Sequence, residues 1–218
     1  MSAKKRTRPA QYRYDPAVAL AHLVAADPEM GAVIKRVGPF VLQLEPTDSL
    51  FEAMLRSIVY QQLHGKAAAS ILARVRAELK RHGGVTPEAA TRARDELLRA
   101  AGLSRNKLLA IRDLAARCLD GTVPTFAEAH DLPDDELIAR LTIVRGIGPW
   151  TVHMLMIFHL GRPDVMPTGD FAIRLAFKKI YRKRKDPTPD LIVKHARRWQ
   201  PYRSIASWYL WRSLDTNL

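Results

Sequence analysis

The run Leu141-Thr-Ile-Val-Arg-Gly-Ile-Gly-Pro-Trp-Thr151 constrains this chain more than any other stretch. Its two glycines allow backbone angles and close approaches that a side chain would forbid, and Pro149 suits the first turn of a helix, where no amide is needed. The run therefore reads as a tight hairpin between two helices, one over Leu132 to Val144 and one over Pro149 to Leu160. The same punctuation recurs along the chain. Ser49 and Glu52 form a plausible capping box for a helix that starts after Asp48, buries Phe51, Met54, Leu55, Ile58, Val59 and Gln62 on one face, and ends at His64-Gly65. A second helix carries Ile71, Leu72, Val75 and Leu79 and stops at Gly83-Gly84. Thr86-Pro87 starts a third that runs to Gly102, and a fourth spans Asn106 to Leu119. Beyond the hairpin, helices are predicted over Asp170 to Tyr181, from Thr188-Pro189 to Trp199, and from Pro201 through Trp208 and Trp211. Phe40 to Leu44 is a short extended candidate at most, so the fold class is all-α.

With 218 residues, 47% of them hydrophobic, the chain can bury a sizeable core as one domain or as two small lobes sharing a cleft. We read it as one helical domain over 14–218 behind a basic, flexible arm over 1–13. The formal charge of +13 indicates a polyanionic partner, nucleic acid first and an anionic membrane surface second. No apolar run approaches the ~20 residues that span a bilayer, and the charged start carries no apolar segment of a signal peptide, so the expected location is the cytoplasm, at the nucleoid. Cys118 is the only cysteine, which excludes an internal disulfide, a cysteine-ligated zinc site and a four-cysteine iron–sulfur cluster. It is expected as a small buried apolar residue. Gly65-Lys66 follows no glycine-rich loop, so nucleoside triphosphate hydrolysis is not supported, and His153 and His159 lack partners at metal-ligand spacing.

A helix N-terminus on a tight loop presents amides and the positive pole of the helix dipole, which attract a phosphate without reading a base. A plain helix connector would look the same locally. Asp170, in Met166-Pro-Thr-Gly-Asp170, opens the next helix and by itself reads as an N-cap, where the dipole favours the ionised form. Leu63 by itself reads as a helix-end core residue, and Arg182-Lys-Arg-Lys185 as a solvated loop or, with Lys178 and Lys179, as a basic rim for a nucleic-acid backbone.

Taken together, Leu141 to Thr151 resembles the helix-hairpin-helix motif, and with Asp170 it resembles the helix-hairpin-helix, Gly/Pro-rich loop, aspartate superfamily of DNA glycosylases. The closer likeness is to the alkylation-repair branch, the 3-methyladenine DNA glycosylase II family. It rests on Val59-Tyr-Gln-Gln-Leu63, Arg145 to Thr151, Pro167-Thr-Gly-Asp170 and Arg198-Trp-Gln-Pro-Tyr-Arg-Ser204 continuing to Trp211. The resemblance implies Asp170 as the catalytic carboxylate, Trp150, Met154 and Trp211 around the base, Leu63 intercalating with Gln62 beside it, and Gly146, Gly148 and Thr151 on phosphate. It also implies a monovalent cation, Na+ or K+, on the main-chain carbonyls of Thr142, Val144 and Ile147, and no required cofactor. Met154 is a departure, since a tyrosine stands there in the family member compared, so the base pocket is expected to be more open. Relatives that form a Schiff base carry lysine where this chain has Trp150; a monofunctional, monomeric enzyme on double-stranded DNA with alkylated purines is the expectation. The rival from another class is a non-catalytic, structure-specific DNA-binding protein that keeps the hairpin without the chemistry, with a membrane-surface protein a distant third.

Overall fold

A computed structural model of the chain describes residues 12–215 apart from Asp48 and His64. In chain order it contains α1 (Pro16–Ala26), α2 (Pro28–Val37), α3 (Leu50–Tyr60), α4 (Gly65–Lys80), α5 (Pro87–Arg92), α6 (Asp95–Ala100) and α7 (Arg105–Leu119). There follow α8 (Phe126–Asp131), α9 (Asp134–Thr142), α10 (Pro149–Phe158), α11 (Phe171–Ile180), α12 (Pro189–Ala196), a 3-10 turn over Arg197–Trp199, and α13 (Arg203–Asp215). Among the described residues there is no strand, and the architecture is all-α.

The described chain divides into two compact units, Pro46–Leu155 and the described parts of Pro9–Glu45 with Met156–Leu218. In the first, α7 packs against α3, α5 and α6, and α4 against the same three helices. Its core is the apolar face of α3, with Phe51, Met54, Leu55, Ile58 and Val59 buried, set against Leu108, Ile111 and Leu114 of α7 and Val75 and Leu79 of α4. In the second, α13 packs on α11, α2 and α1, burying Ile205, Tyr209 and Leu210 with Phe177, Trp199, Leu23 and Met30.

Several boundaries differ from the sequence reading for identifiable reasons. Residues 14–45, given no helix, hold α1 and α2, each begun by an Asp-Pro pair in which the aspartate caps an early amide of its helix, Ala17 for Asp15 and Met30 for Asp27. The single helix expected from Thr86 to Gly102 is two, α5 and α6. Arg112 of α7 reaches into the break, donating to the carbonyls of Ala90 and Ala93 and to the Asp95 carboxylate, so carbonyls that would continue the ladder are taken by a guanidinium. The helix expected from Leu132 begins at Asp134, because Pro133 holds Leu132 extended and closes α8 before it. Ser49 caps Glu52, but the Glu52 carboxylate is directed to Arg76 of α4 at 2.9 Å. Gln62, placed on the buried face of that helix, lies exposed in the turn beyond α3. Trp199 ends a 3-10 turn, and the last helix starts at Arg203. Cys118 is half-buried, its thiol pushed up to about 12 by burial and then by Asp120 and Glu88. Phe40 to Leu44 forms neither helix nor strand; the Tyr12 hydroxyl donates to Leu42 O, and Glu45 N to Phe158 O. Tyr12 thus belongs to the folded chain, its ring against Tyr14 and Phe40. The rest of the arm, residues 1–11, lies outside the described residues, as do the expected helix-boundary residues Asp48 and His64.

Candidate functional site

The hairpin is built from the inside outward. Leu141, Val144 and Ile147 are buried, anchoring the turn to the core of the first unit, while Ile143 and Trp150 remain about half exposed. The turn closes through Val144 N to Leu141 O and Ile147 N to Val144 O, and Gly146 sits at φ +76°, which a side chain adopts only with strain. From α7, the Asp113 carboxylate accepts the Arg145 amide at 2.7 Å and is itself paired with Arg117, so the hairpin is fastened to a neighbouring helix. Thr151 is buried, and its amide is bonded to Gly148 O within the first turn of α10.

A hollow of about 600 Å³ opens beside this turn, lined by Gly146, Trp150, Thr151 and Met154 from the hairpin side and by Arg56, Ser57, Tyr60, Gln61 and Gln62 from α3 and its end. The fold brings Trp150, Met154, Gln62, Gly146 and Thr151 to the rim of one hollow. Arg56, with its guanidinium 4.7 Å from the Tyr60 ring centre, was missed; its only sequence signal is the i,i+4 spacing to that aromatic. Leu63 follows Gln62 in the turn after α3 and is 39% exposed, which is not the burial of a core leucine. Gln62 has φ +56°, a left-handed conformation for a residue with a side chain. A second hollow, about 460 Å³, shares Gln61, Gln62 and Gly146 with the first and is lined beyond them by Ser104, Lys107 and Arg145.

In the second unit Asp170 caps α11. Its Oδ1 accepts the Ile173 amide at 2.9 Å and the Trp211 indole Nε1–H at 3.2 Å. Two donors converging on one oxygen fix the orientation of the carboxylate. Trp211 is held in turn by Phe158, with the rings stacked at 5.7 Å and 26°. The sequence reading took Trp211 only as a pocket wall; its bond to Asp170 had no signal in the sequence.

Lys178 pairs with Asp186 at 2.7 Å, and 182–185 are exposed. His153 is shifted downward by burial, against a smaller opposing effect of Asp134, and His159 bonds to Glu45 O through Nδ1. Among the described residues no group of His, Cys, Asp and Glu could hold a metal ion, and no helix is long and apolar enough to cross a membrane. The hairpin carbonyls are a different donor set. Those of Thr142 and Val144 lie at the C-terminal end of α9, the negative pole of its dipole, and the Val144 carbonyl already accepts one amide. Neutral carbonyl oxygens at such an end are hard donors, suited to a hard cation rather than a soft one.

Comparison with known proteins places this geometry in context. A model of the HhH-GPD superfamily, described as base excision DNA repair proteins, matches residues 55–201. The chain is 37% identical to DNA-3-methyladenine glycosylase 1 of Schizosaccharomyces pombe over 197 residues, 88% of this chain and 85% of that protein. Among solved structures it is similar to a DNA-3-methyladenine glycosidase of Bacillus halodurans, with TM-score 0.80 and 33% identity over 92% of this chain and 90% of that one. It is similar also to the S. pombe 3-methyladenine DNA glycosylase in complex with abasic DNA, with TM-score 0.74 and 37% identity over 89% and 95% of the two chains.

Proposed function

Because the chain belongs to the HhH-GPD superfamily of base excision DNA repair proteins, we propose that it is a DNA glycosylase hydrolysing the N-glycosidic bond of alkylated purines in duplex DNA. The observation that carries the chemistry is the Asp170 carboxylate, oriented on Oδ1 by Ile173 N and Trp211 Nε1 at the N-terminus of α11. An N-alkylated purine already bears positive charge and leaves readily, so the barrier lies in the cation that develops on C1′ and O4′. A fixed carboxylate stabilises that charge or orients the attacking water.

The other residues serve delivery of the base. Gly146 and Gly148 bring the hairpin backbone close to a phosphate, with Thr151 completing the first turn of α10 behind them. Leu63 fills the space of the extruded nucleotide and Gln62 meets the orphaned partner base, offsetting a flipping cost of a few kcal/mol. Trp150 and Trp211 each offer an aromatic face to a cationic purine, and Met154 leaves the hollow beside Trp150 wider than a tyrosine would. A sodium or potassium ion on the Thr142, Val144 and Ile147 carbonyls would add positive charge next to the phosphate. The enzyme acts as a monomer at the nucleoid.

Trp150 supplies no amine, and none of the described residues lining its hollow is a lysine, which supports water as the nucleophile and an abasic product without strand cleavage. The test is release of free base from a methylated duplex by wild type and Asp170→Asn. Asparagine is also a good cap, so the variant keeps its fold. It should lose base release by about 100-fold or more while binding abasic duplex as wild type does. Wild-type product should remain uncut until alkali treatment and give no borohydride-trapped protein–DNA adduct. Equal binding with no release by either protein, on this or other lesions, leaves the non-catalytic DNA-binding reading standing.

A further inference from the structure

The turn after α3 is held from outside by two side chains. Lys107, in the first turn of α7, donates from Nζ to Val59 O at 2.7 Å and to Gln61 O at 2.8 Å. Gln61 donates from Nε2 to Gly146 O at 2.9 Å. Immediately after these anchors come Gln62, in its left-handed conformation, and Leu63, whose amide donates to Tyr60 O at 3.3 Å.

This arrangement has a physical cost that calls for a use. The last carbonyls of a helix lack partners within it, and a cation there also suits the helix dipole. A lysine meets that need only by leaving water. Burial accordingly shifts the Lys107 ammonium downward. Water could have served the same carbonyls, whereas the ammonium ties the end of α3 to a helix that begins 45 residues further on. A left-handed non-glycine residue likewise persists only where its surroundings hold it.

We propose that Lys107 and Gln61 are positioning residues that hold the 61–63 turn rigid, so that Leu63 meets DNA as a preformed wedge tied through Gly146 to the phosphate-gripping hairpin. The inference rests on the reading of Leu63 as the intercalating residue. A slack turn would have to be ordered at every insertion, and that ordering would be charged against flipping. A rigid one is ordered once, at folding. The Gln61 bond to Gly146 has a further effect: where the hairpin seats on a phosphate, the wedge stands at a set offset from it.

Single-turnover excision by Lys107→Met, Lys107→Arg, Gln61→Ala, Leu63→Ala and the Lys107→Met/Leu63→Ala pair tests this on two substrates. One carries the methylpurine fully paired; the other carries it in an unpaired bulge, where little extrusion is needed. Lys107→Met should slow excision about tenfold on the paired substrate and less than twofold on the bulge, with Lys107→Arg recovering part of the loss. In the Leu63→Ala background Lys107→Met should add no further loss, because the wedge it positions is gone. Gln61→Ala should show the same dependence on pairing. Equal losses on both substrates, or full additivity with Leu63→Ala, overturns the bracing role. If Leu63→Ala itself shows no dependence on pairing, the wedge reading fails, and the brace with it. A wild type that releases no base from either substrate removes the glycosylase reading instead, a distinct result. Melting temperatures of all variants separate a folding defect from these outcomes. Should Lys107→Met fail to fold, Lys107→Arg and Gln61→Ala carry the same comparison.

Discussion

At the scale of single residues, the catalytic proposal depends on which atoms hold Asp170. Its Oδ1 accepts from the Ile173 amide, which is local, and from the Trp211 indole, 41 residues away. Capping through Ile173 N follows from the sequence, since aspartate before a helical pattern accepts an amide three residues on. Orientation by Trp211 does not, because the indole comes from α13. Trp211→Phe keeps an aromatic face and the stack on Phe158 but removes the Nε1–H. We expect single-turnover excision to fall by about tenfold, the equivalent of one hydrogen bond to a charged group, with little change in KM for the methylated duplex. A change confined to KM would make Trp211 a wall for the base and nothing more.

At the scale of elements, the hairpin shows how much a turn can be specified locally. Gly146 needs glycine for its φ of +76° rather than for space, since a Cβ there would stand 3.7 Å from Ala110 Cβ, an ordinary contact. Gly146→Ala should therefore cost about 1 kcal/mol in strain, read as a lowered urea midpoint, and weaken duplex binding. Gly148 differs: its φ lies outside the left-handed region and a Cβ there meets open space. Gly148→Ala should fold as wild type, and a loss of duplex affinity would then report the close approach of DNA itself. The helix starts show the converse lesson. Thr86-Pro87 and Thr188-Pro189 were legible as caps, and Asp15-Pro16 and Asp27-Pro28 carry the same signal. For α1 the apolar residues run Ala, Val, Ala, Leu, Ala with no clean stripe, and a cap without a periodic face does not announce a helix, whereas in α2 the stripe Met30, Val33, Ile34 and Val37 makes the helix legible.

At the scale of the molecule, the second unit is tied together by one carboxylate. Asp27, fully buried, accepts Met30 N on Oδ1, and the Tyr181 hydroxyl, His195 Nε2 and Trp199 Nε1 approach Oδ2 at 2.9, 2.9 and 3.0 Å. Burial alone would raise its pKa; the bonds from His195, Met30, Trp199 and Tyr181 outweigh that and hold it well below the ordinary 3.8. A folded value below the unfolded one means stability that is present above the ordinary carboxylate range and is lost as pH falls below it. Asp27→Asn should cost about 3 kcal/mol at neutral pH, and urea unfolding should show the gap to wild type narrowing below about pH 4. A gap independent of pH would remove charge from the explanation. Local signals of cap, turn and periodicity determined the all-α class, the hairpin and the helix that opens at Asp170, because those features are decided within a few residues by backbone sterics and nearby amides. Only the tertiary structure decided that Arg112 would split a helix, that Trp211 would grip Asp170, that Lys107 would hold carbonyls 46 and 48 residues back, and that Asp27 would gather donors 154 to 172 residues away. Such partners are chosen by packing the whole chain around its cores, where a buried polar group takes whichever complement the fold brings within reach.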